Sequence, residues 1–251
     1  MVKYLKALPA LLIIVITVPV LMGDDTGKFT LEAEFSPVWQ SRNDARIPND
    51  TGTKFSLRDI QGSGPFAGSR VFFAWSFRPK HEIGVLVAPF SATATGELSH
   101  PVLFEGESFE AASQVRASYV FNSYRITYRY TFFDGARWTW KIGVTGKIRD
   151  AKIALDDRLT SAENTDLGLV PLVHLDARYR FAPRWNLHLN MDGLAAPQGR
   201  AFDISLKVNY DLSPQWRVGA GYRMLEGGAD VSSVYTFAWL HYATASVAFR
   251  F

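Results

Sequence analysis

The residues best able to do chemistry are a histidine and the carboxylates near it. His174 and Asp176 alternate with apolar Val173, Leu175 and Ala177, and Asp192 stands in a second alternating run, Trp185 to Leu194. Folding the two runs together about Ala182-Pro-Arg184, with Phe181 opposite Trp185, sets His174 against Asp192, Asp176 against Asn190 and Arg178 against His188. An imidazole held by a carboxylate can serve as a general base. It can equally be an ion pair that satisfies two buried polar groups, and no nucleophile motif or metal-ligand spacing accompanies it. The expectation is an ion pair with no catalysis, no metal and no cofactor. A hydrolase or lipid-modifying enzyme built on His174 and Asp192, with Asp176 nearby, is the alternative.

Other charges fall into pairs by the same folding. About Asp211 to Gln215, Asp203 comes opposite Arg223; about Asp134 to Arg137, Arg129 comes opposite Lys141, near Arg125 and Lys147. The first pair reads as a salt bridge. The second is a basic wall that needs partners, and Glu32 and Glu34 are candidates from across an enclosed interior. Such a wall either lines a weak anion-selective path or belongs to a network that fills the space. An interior of about ten strands is little wider than an eight-stranded one that side chains fill, so the filled interior is expected.

These side chains are positioned by strands. Ten runs alternate apolar and polar residues with period two, from Lys28 to Trp39 through to Val234 to Phe251. In the clearest, Tyr124, Ile126, Tyr128, Tyr130 and Phe132 oppose Arg125, Thr127, Arg129 and Thr131; the third, Glu82 to Ala92, is apolar on both faces and its register stays open. Short segments such as Phe181-Ala-Pro-Arg-Trp185 and Leu212-Ser-Pro-Gln-Trp216 turn the chain. Longer polar stretches alternate with them: 40–68, 93–113, 149–166, 195–200 and 226–233. The first and third carry Asp and Asn clusters that lack the fixed spacing of a calcium loop.

The alternation admits two architectures. A soluble barrel would bury the apolar set, leaving the charged set outside; a membrane barrel would do the reverse. Rows of Trp, Tyr, Leu and Val can face lipid, whereas Arg125, Arg129, Lys141, Lys147, His174, Asp176, Arg178 and Arg223 cannot fill a dry core. The predicted fold is therefore all-β, an up-and-down antiparallel transmembrane β-barrel of about ten strands. An even count puts both ends of the barrel segment beside the short turns. There Phe77, Trp138, Phe181, Trp185, Trp216 and Phe251 should lie at one height, as an aromatic girdle at the membrane interface.

Lys3 and Lys6, the apolar run Ala7 to Leu21 and the polar switch at Gly23-Asp24-Asp25 read as a signal peptide over 1–23, followed by a barrel domain over 24–251. With no cysteine among 251 residues, disulfides cannot stabilise an exported chain. The formal charge of +3 falls to +1 without the two leader lysines, which argues against a nucleic-acid partner.

The leader, the Ala182-Pro-Arg-Trp185 and Ser213-Pro-Gln-Trp216 turns, the alternating strands and the terminal Phe249-Arg-Phe251 together resemble small bacterial outer-membrane β-barrel proteins of porin-like type. The resemblance implies residence in the outer membrane of a Gram-negative cell envelope after export to the periplasm. It also implies contact with outer-membrane lipid and lipopolysaccharide, and a terminal strand read by the barrel assembly machinery. The omptin proteases, also ten-stranded, carry carboxylate pairs and an Asp/His pair near the outer rim, and His174-Leu-Asp176 at mid-depth does not match that set. The implied role is a structural or surface-exposed protein or a narrow porin-like channel, with a ligand-binding protein acting through long external loops as a further alternative.

Overall fold

The computed structural model describes residues 28–251; the leader read at 1–23 lies outside the described residues. In chain order the elements are β1 (Phe29–Arg46), β2 (Phe55–Ser56), α1 (Leu57–Gln61), β3 (Phe66–Arg78), β4 (His81–Ala88), β5 (Ser91–Glu97), β6 (Val102–Phe104), β7 (Glu107–Phe109), β8 (Gln114–Asp134), β9 (Trp138–Asp156), β10 (Ser161–Ala182), β11 (Trp185–Ala196), β12 (Gly199–Asp211), β13 (Trp216–Val231) and β14 (Val234–Arg250). Each main strand pairs antiparallel with its neighbours, and β14 returns to β1, from Thr30 opposite Arg250 to Arg46 opposite Tyr235. Closure makes ten staves. A break at Pro89 splits the third into β4 and β5, which pair successively with β8.

Leu86 and Ala88 of β4 are buried while Val85 and Val87 are exposed, which gives the third strand the register that its apolar sequence left open. Two hairpins depart from simple folding. In the β8–β9 hairpin a wider turn, with Asp134 opposite Thr139, and an irregularity between Thr131 and Phe133 set Arg129 opposite Gly143 rather than Lys141; in the β10–β11 hairpin an irregularity between Arg180 and Ala182 leaves Ala182 rather than Phe181 opposite Trp185. An extra residue on one strand shifts everything beyond it by one partner. His174 with Asp192, Asp176 with Asn190 and Arg178 with His188 pair as expected, because the extra residue on β10 offsets a turn that is one residue shorter than the folding about Ala182 to Arg184.

Outward-facing residues make the lipid surface. On β10 the exposed apolar positions run from Leu167 and Leu169 through Val173, down to Tyr179 stacked on Trp138. Twelve residue steps at ~3.3 Å and a ~45° tilt give a band about 28 Å high, the thickness that a bilayer core requires. At the short-turn end, rings follow one another around the wall. Phe181 and Trp185 stand 6.4 Å apart, Trp216 and Phe249 4.7 Å, Phe249 and Phe251 5.6 Å, and Trp75 and Phe77 5.7 Å.

The external stretches are mostly not loops. Strand pairing continues through 149–156, 161–166 and 226–231, so three of the five connections shrink to residues 157–160, 197–198 and 232–233. Above the membrane the alternation inverts while the backbone ladder goes on: Val115, Ala117 and Tyr119 of β8 and Ile153 and Leu155 of β9 are buried on the inner face, and Arg116 and Asp156 are exposed. The other two connections, 47–65 and 98–113, cap the outer end. Val38, Ala45, Leu240 and Tyr242 of the wall form one apolar cluster with Ile47, Phe55, Leu57, Ile60, Leu98, Val102, Phe104 and Phe109. Burying these side chains supplies a second core that needs no lipid. Helix α1 packs so closely on β5 that a Cβ at Gly96 would lie 2.1 Å from the Ile60 carbonyl oxygen.

Candidate functional site

Two layers occupy the interior. At mid-depth the inward-facing polar residues meet in a charged network. Asp203 on β12 is its hub: it receives Arg125 Nη2 at 2.6 Å, Arg223 Nη1 at 2.6 Å and Arg70 Nη1 at 3.1 Å. Arg125 Nη1 reaches Asp192 at 2.7 Å, and Arg223 Nε donates to Glu34 at 3.0 Å. Lys207 donates to Glu32, and to Glu34 at 3.2 Å. Paired and hydrogen-bonded in this way, so many charges can be buried without neutralising.

A second group lies nearer the short turns. Glu82 binds Arg129 at 2.9 Å and Lys141 at 3.0 Å, while His188 Nε2 lies 2.7 Å from Asp176. Glu32 and Glu34 therefore do not serve the Arg129 and Lys141 wall, as their sequence positions had suggested; they serve Lys207 and Arg223. The reason is geometric, because cross-lumen partners depend on closure and stagger, which hairpin pairing does not determine. Asp203 and Arg223 are bonded, although in the ladder Asp203 faces Leu225 and Arg223 faces Ser205. Arg178 makes no ion pair among the described residues, and its Nε is buried without a partner. Arg70, Glu82 and Lys207 complete the network although the sequence pattern does not mark them, and His188, opposite Arg178 in the ladder, binds Asp176 instead. Arg70 was legible as the inward neighbour of Val71, whereas Glu82 depended on the third strand's register.

His174 is 0% exposed, with Nδ1 2.7 Å from Asp192 Oδ1, an oxygen that also accepts from Thr145 Oγ1 at 2.8 Å. It lines neither the cavity above the network described below nor the small cavity within the network between Glu34 and Arg129. Asp192 is thus held between Arg125, Thr145 and His174. Among the described residues no group of three or more His, Asp or Glu side chains is placed to hold a metal ion.

Above the network lies a cavity of about 630 Å³. Its floor includes Arg125, Lys147 and Asp203; Tyr119, Phe121, Ile153, Leu225 and Phe237 supply apolar walls; Arg149, Lys152 and Arg200 approach it from the rim. Lys147 is 4% exposed, and no carboxylate pairs with it among the described residues; its ammonium stands 4.7 Å from the Phe121 ring centre.

One side of this cavity lacks a complete wall. β10 and β11 pair only from Val173 opposite Gly193 downward, although β10 continues up to Ser161 and β11 to Ala196. The hairpin of β11 and β12 turns low, at 197–198, while the hairpin of β9 and β10 turns higher, at 157–160. Between them is a notch in the barrel, and Leu169 and Pro171 on one side and Leu194 on the other both line the cavity and stand exposed.

A closed antiparallel barrel with an apolar outer band, a polar lumen and an aromatic end defines an outer-membrane β-barrel protein. The outer-membrane protease OmpT of Escherichia coli matches with a TM-score of 0.50 and 9% identity over 92% of this chain and 99% of its own. Ail, the attachment invasion locus protein of Yersinia pestis, matches with a TM-score of 0.40 and 9% identity over 89% of this chain and 99% of its own. Neisserial surface protein A matches at 0.36 and 10% identity, over 91% and 100%. No protein-family model and no curated protein sequence matches the chain.

Proposed function

We propose that this is a non-catalytic outer-membrane binding protein: a barrel shut at mid-depth by ion pairs, whose outer half is a chamber for a small ligand. The observation that carries this reading is the 630 Å³ cavity standing directly on the charged network, within the ordinary size range of ligand sites. The buried bonds of Asp203, Arg125 and Arg223 oppose the alternative of a porin-like channel, since an ion crossing the lumen would have to separate them. The sealed position of His174 opposes the alternative of a hydrolase. With three of the five external connections reduced to tight turns, recognition is assigned to the chamber and not to long loops. Planar-bilayer recordings of the purified protein test the reading. No stepwise current is expected, and clear anion-selective steps would overturn it.

A further inference from the structure

The chamber combines a buried cation at its base with no anionic partner among the described residues, apolar walls, and a side opening at the level of the membrane. We propose that it holds a single-chain amphiphile with an anionic head, taken from the outer leaflet, with the head on Lys147 and the hydrocarbon tail leaving between β10 and β11. The proposal rests on the binding-chamber reading above and names its ligand class.

Charge complementarity identifies the head. Five cationic side chains and three carboxylates line the cavity; Arg149 is taken by Asp166, Arg200 by Glu226 and Arg125 by the mid-depth network. Lys152 reaches Glu163 at 3.3 Å outside the chamber. Lys147 alone combines deep burial with the absence of an acidic partner among the described residues. A buried ammonium is costly unless an anion meets it, so a bound carboxylate, sulfate or phosphate would complete the site.

The notch identifies the tail. Leu167 and Leu169 of β10 project outward within the lipid band, at 75% and 77% exposure. The unpaired edge beside them therefore opens onto hydrocarbon and not onto water. A bare strand edge does not occur in hydrocarbon, so this one needs an occupant to cover it, and Pro171, lacking an N–H, removes only one donor from it. Lys147 lies opposite Val170 on the neighbouring strand, one residue from Pro171, so a head held there leaves its chain facing the gap. A fully water-soluble anion would find no use for this opening.

The test uses the full barrel in phosphatidylcholine nanodiscs, with palmitate as the anionic probe and hexadecanol as its neutral analogue. Palmitate should bind saturably, near one per barrel and at least about tenfold tighter than hexadecanol, the margin a charge-assisted contact provides. Lys147→Met should erase that margin and Lys147→Arg should keep it, both with unchanged heat-modifiable migration. Leu194→Trp combined with Ala196→Trp should slow uptake by obstructing the notch. Equal binding of the two probes, or a Lys147→Met variant that still prefers palmitate, would overturn the assignment of the head while leaving the chamber intact. Failure of both probes to bind would overturn the amphiphile itself. Stepwise bilayer currents would remove the closed chamber independently of either.

Discussion

Phe29 and Phe251, at the two ends of the barrel segment, stack with ring centres 5.6 Å apart and exchange both backbone hydrogen bonds, 2.9 Å from Phe29 N–H to Phe251 and 3.1 Å in return. This pair fastens the seam between β1 and β14. Removing Phe251 deletes two ladder bonds and the link from Phe249 to Phe29. Expression of the truncated chain should yield much less heat-modifiable, membrane-inserted barrel than deletion of the hairpin tip Glu105-Gly106, which lies at the opposite end. Equal yields from the two deletions would mean that the seam is fastened elsewhere.

Asp203 accepts hydrogen bonds from three guanidinium groups at once, sharing their charge with Asp192 and Glu34. Asp203→Ala leaves Arg70, Arg125 and Arg223 facing one another in a buried space, a loss on the order of 3–5 kcal/mol for a broken buried network. A lower urea midpoint, read from the gel shift between folded and unfolded forms, checks this. Asp203→Asn should fall between, since it keeps the shape and an acceptor.

His174→Ala tests the noncatalytic assignment. Asp192 keeps Arg125 and Thr145 without the imidazole, so the expected destabilisation is about 1–3 kcal/mol, that of one buried hydrogen-bonded group. The barrel should still fold and still bind its ligand. A hydrolytic activity present in the parent and lost in this folded variant would reassign His174 as a base.

Gly96→Leu addresses the cap. With the Ile60 carbonyl 2.1 Å from where a Cβ would sit, α1 has to move away from β5. Proteases added from outside should then cut within 47–65 much faster than in the parent, while the membrane-level strands stay protected. An unchanged digestion pattern would show that α1 is not held by that contact.

The parts of this fold that were legible in the sequence are those where lipid and lumen impose opposite demands on successive residues. Strands such as Tyr124 to Phe132 announce themselves, and the inward set from Arg125 to Arg223 follows. Three things were hidden for separate reasons. On the upper strands the apolar set turns inward, as at Ile153 and Leu155, and the outward set is polar, so Lys152 and Glu163 read as loop in the sequence. The bonds from Lys207 to Glu32 and Glu34 span 175 and 173 residues and follow from barrel closure, which no hairpin predicts. The apolar cap left one readable trace: Ile47, Phe55, Leu57, Ile60, Leu98, Val102, Phe104 and Phe109 are too many large apolar residues for solvated loops.

The low turn of β11 and β12 also bears on how the molecule would look to an antibody. Three outer connections are two to four residues long, and the other two are folded onto an apolar core. The surface offered to the exterior is thus an assembly of neighbouring strand ends rather than a set of independent peptides. Sera raised against short linear segments of this chain should stain denatured blots and leave intact cells unlabelled, while sera raised against the folded barrel should do the opposite.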